Sequence, residues 1–248
     1  MNYLLKNGWL VALLLLFSCG EELCLSEKAA TTKGWDTIKT SARAFPAHGL
    51  WLHRTNHPAK FTKYADAFTG FELDVNIDTL QMLLDVYHPP EKSANIHVED
   101  FLQLPSASKK FFWFDCKNLN QKNLPFALLI LAKLDSAYQI KNRIVFESHN
   151  AVLLKQIAAA GYYCFYNLPI KPGTDLCADT SLLATTASLI DTSFAAISAD
   201  EEYIEVLKKL FPACKKATWG ISAVATIFTG REQQLLKDSS VLIVLQRK

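Results

Sequence analysis

The sequence lacks a marked charge of either sign and lacks the motifs of nucleotide-binding folds. Among 248 residues, 26 lysines and arginines are balanced by 24 aspartates and glutamates, which gives a formal net charge of +2. Proteins that bind nucleic acid carry a clear basic excess, so we expect no nucleic-acid partner. Neither GxGxxG nor GxxxxGK with a following Ser or Thr comes after the first strand-like segment, which argues against a nucleotide-binding open sheet.

The six cysteines include no CxxC pair, so we do not expect the cysteines to bind zinc. If Cys19 is set aside for the role described below, five remain, which is an odd number for a disulfide framework. Cys116 and Cys164 lie inside strand-like segments, where a buried free thiol is the usual explanation. The sequence therefore predicts free thiols in the core at these two positions.

A membrane-spanning run is also absent from the sequence. The apolar run at 9–17 is far shorter than the roughly 20 residues that a spanning helix needs. Lys6 precedes this run and small residues follow it, which is the pattern of a secretory signal. Leu16-Phe17-Ser18-Cys19 resembles a lipobox, and the resemblance implies that Cys19 is lipidated. An ordinary signal peptide that is cut elsewhere is the alternative.

The chain is therefore predicted to have three parts. They are a signal peptide (1–18), an anchor and tether (19–45) of mostly polar and aperiodic sequence, and one folded domain (46–248). This organisation predicts an exported lipoprotein that is attached to a membrane by its N-terminal lipid and faces the periplasm or the cell surface.

Strand-like and helix-like segments alternate in the third part. The strand-like segments lie at 49–55, 70–77, 81–88, 110–118, 142–149, 162–169, 194–199, 216–223 and 240–246, and the clearest helix-like segments at 58–68, 124–138, 151–160, 201–211 and 231–238. Such alternation predicts a parallel sheet. Segments 70–77 and 81–88 are too close for a crossover helix, so they form one extended strand or a hairpin. The remaining eight predict a single (β/α)8 barrel, and an open doubly wound sheet is the alternative.

Ionisable residues concentrate at the ends of the early strands. Glu72 and Asp74 share one strand face, as do Asp115 and Lys117, because residues two apart on a strand point the same way. Each pair alone is most often a solvated edge or a structural ion pair. Converging carboxylates beside a lysine, however, suit a hard divalent cation and a phosphate. Two histidines nearby suit proton transfer near neutral pH.

In order and spacing, these residues resemble the pattern of the glycerophosphodiester phosphodiesterases, which are barrels of the phospholipase-C-like superfamily. The matching strings are His53-Arg54, Glu72-Leu73-Asp74-Val75, His88 and Asp115-x-Lys117. Other features are more similar to the menorin branch and its relatives, which include spider-venom phospholipase D; these are Asn56, the run His88-Pro89-Pro90, the aspartate at 115 and the stretch Val98–Leu102. The resemblance covers about residues 48–120 and is only topological beyond them.

The resemblance implies a role for each matching residue. One Mg²⁺ or Ca²⁺ would be held by Glu72, Asp74 and Asp115. The general acid and general base would be His53 and His88, in either order. Phosphate oxygens would be bound by Arg54 and Lys117. In this superfamily a hydroxyl of the substrate often attacks phosphorus, so a cyclic phosphate product is compatible with the resemblance.

We therefore expect a metal-dependent phosphoric diester hydrolase that acts on a glycerophosphodiester or a phospholipid-like substrate. Further candidates for substrate contact are Asn56, Glu147 and Trp219, and core or rim packing is the alternative for Trp219. A non-catalytic menorin-like binding protein that keeps the barrel and the metal is the main alternative function, and a solute-binding lipoprotein with an open sheet is a second. The expected partners are a small-molecule or lipid phosphodiester and, through the lipid anchor, a membrane; the sequence does not specify an oligomeric state.

Overall fold

The computed structural model describes residues 34–41, 45–170, 173–174 and 179–248. The predicted signal peptide and the predicted lipidation site at Cys19 lie outside these residues. Within the described residues, no helix is both long enough and apolar enough to cross a bilayer.

Strands and helices alternate along most of the described chain. The strands are β1 (Gly49–Leu52), β2 (Gly70–Asp78), β3 (Leu83–Val86), β4 (Phe111–Cys116), β5 (Ile144–Ser148), β6 (Tyr163–Asn167), β7 (Ala196–Asp200), β8 (Lys216–Trp219) and β9 (Val241–Gln246). The α-helices are α1 (Pro58–Tyr64), α2 (Val98–Leu102), α3 (Leu124–Tyr138), α4 (Ala151–Ala159), α5 (Thr180–Leu189), α6 (Ile204–Leu210), α7 (Ala223–Thr229) and α8 (Arg231–Lys237).

In the described part of the chain, eight parallel strands close into a barrel. Their order is β1, β2, β4, β5, β6, β7, β8 and β9, and β9 pairs back onto β1. The closure confirms the predicted (β/α)8 barrel and is incompatible with an open sheet. Strand β3 lies outside this ring and pairs antiparallel with β2, so the two closely spaced segments form a hairpin rather than one extended strand.

Successive side chains of a strand point alternately into the barrel and away from it, and this alternation produces two apolar layers. On β2, Phe71, Leu73 and Val75 point outward and are covered by helices. Inside the barrel, Trp51, Trp113 and other large side chains fill the lumen. Strand β2 must begin with Gly70, because a Cβ atom there would lie 2.0 Å from the Trp51 ring.

The N-terminal end of the barrel is closed by an aromatic side chain. The ring of Phe45 makes edge contacts with Phe111, Tyr163 and Phe165, the first two of which begin β4 and β6. The lumen is therefore plugged at this end, which leaves the opposite end, where the strands finish, as the place for a cavity.

Several boundaries differ from the sequence prediction. The strand predicted at 216–223 ends at Trp219, because Gly220 has a left-handed backbone (φ 89°) that no strand continues through. Helices α5 and α7 were not predicted. Residues 38–41, which were assigned to the tether, contact the barrel: Ser41 donates its N–H to the carbonyl of Phe194 (2.7 Å), and the Lys215 N–H donates to Thr40 Oγ1 (3.0 Å).

Cys116 and Cys164 agree with the prediction made for them. Cys116 and Cys164 are buried free thiols, and so is Cys214. Burial raises the pKa of the Cys116 thiol to about 12, so it remains protonated at neutral pH.

Candidate active site

A cavity of about 550 Å³ opens at the C-terminal ends of the barrel strands. This is the end at which barrel enzymes carry their active sites. The cavity is lined by most of the residues that the sequence singled out: His53, Arg54, Glu72, Asp74, His88, Asp115, Lys117, Glu147 and Trp219. Asn56 does not line it and has a different position, described below.

Three carboxylates meet on one wall of the cavity. Asp74 and Asp115 are direct neighbours across β2 and β4, and Glu72 lies two residues earlier on β2. One oxygen from each of the three lies within 4.8 Å of the others. Glu72 and Asp74 are almost completely buried, so their charges are poorly hydrated and need a partner.

The carboxylate cluster fits a hard divalent cation. Two oxygens bound to one Ca²⁺ at 2.3–2.6 Å lie no more than about 5.2 Å apart, and the observed spacing is within that limit. Burial and the charges of Asp74 and Asp115 raise the pKa of Glu72 well above its usual range. A cation among these oxygens would offset both effects, because the three carboxylates carry more negative charge than the single ammonium of Lys117 balances.

Lys117 lies against the same carboxylates. Its Nζ donates to Asp74 Oδ1 (2.7 Å) and to Asp115 Oδ2. Although burial opposes ionisation, this ammonium holds the pKa of Asp74 below its usual range. Burial likewise disfavours the charge of Lys117, yet Asp115 and Asp74 raise the pKa of the lysine above its ordinary value. Lys117 therefore stays cationic at the edge of the cluster.

The turn after β1 positions the basic residues of the site. Arg54 has a left-handed backbone (φ 49°), and its N–H donates to Glu72 Oε2 at 2.5 Å. Its guanidinium Nη2 lies 3.2 Å from His88 Nε2. The ammonium of Lys60 donates to the carbonyls of His53 (2.9 Å) and Arg54 (3.1 Å), and these two hydrogen bonds stabilise the turn.

His53 lies between the carboxylates and a second arginine. Its Nε2 is 3.9 Å from Glu72 Oε2, and its Nδ1 is 3.4 Å from the Nε of Arg247. Burial, followed by the positive charges of Arg247 and Arg54, lowers the pKa of His53 to about 3. The imidazole is therefore neutral at physiological pH.

Asn56 contacts a carboxylate of the cluster instead of the cavity. Its Nδ2 donates to Asp74 Oδ2 (2.6 Å), and the Asp74 N–H donates to Asn56 Oδ1 (2.9 Å). Both polar atoms of the amide are engaged with Asp74, so substrate contact is the weaker explanation of Asn56. The arrangement orients the carboxylate of Asp74.

Glu147 forms part of the cavity floor. It is the cross-strand neighbour of Asp115, and it accepts hydrogen bonds from Asn167 Nδ2 (2.7 Å) and Ser198 Oγ (3.0 Å). Burial and the charge of Asp115 raise the pKa of Glu147 well above its usual range. The residue extends the row of carboxylates from β2 and β4 onto β5.

The cavity also has polar lining residues that the sequence did not single out. They are His149, Asn167, Asp200 and Arg247. Each ends a strand or directly follows one. Their position at a strand end is the sequence feature that could have identified them as lining residues, since strand ends form the mouth of a barrel. A lone polar residue at a strand end is nevertheless common, and none of these belongs to a motif.

Comparisons with known proteins give similarity at the level of the fold. No family model matches the chain, and no curated protein matches it. A structure from Silicibacter pomeroyi, described as a putative glycerophosphoryl diester phosphodiesterase, is 13% identical with a TM-score of 0.60, over 82% of this chain and 91% of its own.

Two further solved structures extend the comparison. A glycerophosphodiester phosphodiesterase from Parabacteroides distasonis is 13% identical with a TM-score of 0.54, over 84% of this chain and 91% of its own. A phosphodiesterase from Oleispira antarctica, solved in complex with the product sn-glycerol-3-phosphate, is 10% identical with a TM-score of 0.54, over 79% of this chain and 92% of its own. At these identities the similarity establishes the shared barrel fold.

Proposed function

We propose that this protein is a metal-dependent phosphoric diester hydrolase that acts on a glycerophosphodiester or a phospholipid-like substrate. One observation carries the proposal: three carboxylates, two histidines and two basic side chains from separate strands and loops line a single cavity at the mouth of the barrel. A structural ion-pair network would not require the histidines.

Glu72, Asp74 and Asp115 would hold one Mg²⁺ or Ca²⁺. When bound, such an ion supplies a positive charge that binds phosphate oxygens and offsets the charge that develops in the transition state. The chain prepares the ligands for this task, since the Arg54 N–H orients Glu72 and the Asn56 amide orients Asp74. Ligands fixed by such partners bind metal more tightly.

Arg54 and Lys117 would bind the remaining phosphate oxygens. Both line the cavity, and Lys117 is held by Asp74 and Asp115 within reach of the same space. The planar guanidinium of Arg54 suits two phosphate oxygens at once, whereas the ammonium of Lys117 acts as a point charge. Together they would place the phosphorus beside the carboxylate cluster.

His53 and His88 would move the protons of the reaction. His53 is almost fully buried, and its Nε2 lies 3.9 Å from Glu72 Oε2, so it would remove a proton from an attacking hydroxyl or water beside the carboxylate cluster. His88 is partly exposed and lines the cavity, where it would protonate the leaving oxygen. We assign the base to His53 and the acid to His88 on this difference in environment.

The similar structures support this class of reaction. All three structures described above are named as phosphodiesterases, and the Oleispira antarctica structure contains sn-glycerol-3-phosphate as product. A small phosphodiester is therefore the first substrate to test. We also propose, from the sequence alone, that the protein is exported and anchored through a lipidated Cys19.

The test compares variants of the two proposed roles in protein purified with divalent cation. His53→Ala and His88→Ala should each lose about 10²–10⁴-fold in phosphodiester turnover while they retain bound metal. Asp74→Ala should lose the metal and the activity together, because it removes both a ligand and its charge. His48→Ala, at an exposed histidine outside the cavity, is the control and should match the wild type.

Two measurements distinguish an enzyme from a non-catalytic binding protein. They are the metal content by elemental analysis and the turnover of a broad panel of phosphodiesters. If the wild type binds metal and hydrolyses no member of the panel, while the histidine variants bind phosphate ligands as it does, the protein is a binding protein and the proposed activity is wrong.

A further inference from the structure

Arg247 lies at the mouth of the barrel, directly after the strand that closes the ring. The last residue of β9, Gln246, is paired with Leu52 of β1, and its carbonyl accepts the His53 N–H (2.9 Å). The Gln246 amide also donates to the buried Glu232 (3.2 Å). The backbone next to Arg247 is therefore held in place, although the arginine side chain itself is exposed.

Two guanidinium groups of the cavity have no carboxylate partner in the described part of the chain. They belong to Arg54 and Arg247, and each lies beside a histidine instead. Arg54 Nη2 is 3.2 Å from His88 Nε2, and Arg247 Nε is 3.4 Å from His53 Nδ1. By contrast, Arg231, which does not line the cavity, pairs with two glutamates. Two such positive charges at one mouth suit the binding of an anion.

The charge balance of the opposite wall indicates how much positive charge a phosphate would still need. The three carboxylates of the cluster carry three negative charges when ionised, and Lys117, which is bound to two of them, carries one positive charge. A divalent cation in the proposed site would supply the other two positive charges. The wall would then be neutral as a whole, so the charge of a phosphate would have to be offset elsewhere. Among the described residues that line the cavity, Arg54 and Arg247 are the remaining lysine or arginine side chains.

We propose that Arg247 is a further phosphate-binding residue, which together with Arg54 binds a phosphoryl group that carries two negative charges. A phosphodiester has one negative charge in the ground state. A second charge develops when an oxygen that has lost its proton adds to phosphorus, and a monoester product carries nearly two at neutral pH. Arg247 therefore contributes more to the binding of the transition state and of the product than to the binding of the substrate.

This inference rests on the proposed function, because the phosphate must lie between the carboxylate cluster and the two arginines. Arg247→Gln should lower kcat for a phosphodiester by about 10²–10³-fold and change KM little, since the lost contact strengthens only as charge develops. Arg247→Lys keeps the charge without the planar fork and should lose less activity. Lys248→Gln is the matched control, because it removes one positive charge from the adjacent exposed residue, which does not line the cavity.

Three results would overturn the inference. The first is a wild-type kcat in Arg247→Gln. The second is an equal loss of kcat in Lys248→Gln, which would assign the effect to long-range charge. The third is an equal loss in Arg247→Lys and Arg247→Gln, because the effect would then not depend on the charge at this position. Urea unfolding should give the same midpoint for all three variants and the wild type, since both side chains are exposed.

A binding measurement separates this inference from the proposed activity. In alkaline buffer with divalent cation, methylphosphonate carries two negative charges and dimethylphosphinate one, and the P–C bonds of both resist hydrolysis. Calorimetry should show tighter binding of methylphosphonate to the wild type, and Arg247→Gln should weaken that binding by about 10- to 100-fold, with a smaller effect on dimethylphosphinate.

The two assays together distinguish a failure of the inference from a failure of the activity. If no diester is hydrolysed, yet the preference for methylphosphonate depends on Arg247, the activity is refuted and the role of Arg247 in binding a doubly charged phosphoryl group stands. If diesters are hydrolysed and neither assay depends on Arg247, the inference is refuted and the activity stands.

Discussion

The amide of Asn56 offers a test of how the chain prepares a metal ligand. It donates to the Asp74 carboxylate and accepts the Asp74 N–H, at 2.6 and 2.9 Å. Asn56→Ala removes both hydrogen bonds without touching a proposed ligand. The Asp74 N–H then loses its partner in a residue that is 1% exposed.

The magnitude follows from what each lost contact contributes. A hydrogen bond to a charged group contributes about 1.5–3 kcal/mol, and an unsatisfied buried N–H costs about 1–3 kcal/mol. Since water can partly replace such contacts at a cavity wall, we expect the free energy of unfolding to fall by about 2–5 kcal/mol. Metal affinity should fall by about 10–100-fold, as it does when the partner of a ligand is removed.

Asn118→Ala is the matched control for this substitution. Asn118 also forms two hydrogen bonds with a single residue, although both are to backbone: it accepts the Ile77 N–H (2.9 Å) and donates to the Ile77 carbonyl (3.1 Å). It contacts none of the three carboxylates. Urea unfolding should show a loss of stability in both variants, whereas calorimetry with Mg²⁺ or Ca²⁺ should show weaker binding only in Asn56→Ala. Equal metal affinity in Asn56→Ala and the wild type would show that Asn56 does not prepare Asp74 for metal binding.

Two further predictions concern other parts of the chain. Lys216 is fully buried and donates to the carbonyls of Phe211 and Cys214, and burial lowers its pKa to about 8. Because the unfolded chain binds this proton more tightly, stability should rise between about pH 8 and 10.5 by about 3 kcal/mol relative to Lys216→Met; parallel urea-unfolding curves against pH would exclude this effect. Cys19→Ser should release the protein from membranes or leave it unprocessed, because two or three acyl chains give stable attachment; unchanged mass and fractionation would count against lipidation.

Patterns with a short period were sufficient to predict the barrel and the wall on which its carboxylates meet. Glu72 with Asp74, and Asp115 with Lys117, follow from the period of two on a strand, and the parallel alternation places both pairs at one end of the barrel. The polar residues at the mouth were therefore predictable on those strands that carry two of them, two positions apart, on the same face.

Single polar residues on late strands were not predictable in the same way. Neither Asp200 nor Arg247 belongs to a spaced motif, and their positions in the cavity depend on the closure of the ring, which no local pattern predicts. Helix α5 was missed because its Thr- and Ser-rich sequence has little apolar contrast. The end of β8 was placed too late because apolar residues continue beyond Gly220.

Asn56 illustrates a third limit of prediction from sequence, which is that the direction of a side chain is not predictable. Its place three residues after His53 predicted proximity to the site, and the structure brings it there. Whether the amide faces the cavity or a neighbouring carboxylate depends on the turn after β1, in which Arg54 adopts a left-handed backbone. Local sequence does not determine that conformation.

The central claim is that the mouth of this barrel hydrolyses a phosphodiester with the help of a divalent cation. Phosphorus NMR of glycerophosphocholine incubated with the wild-type protein tests it most directly, because diester, monoester and cyclic phosphate give separate signals. We expect conversion to a monoester or a cyclic phosphate that stops with chelator, resumes with added Mg²⁺ or Ca²⁺, and is absent in Asp74→Ala. Conversion that continues at the same rate in chelator and in Asp74→Ala would contradict it.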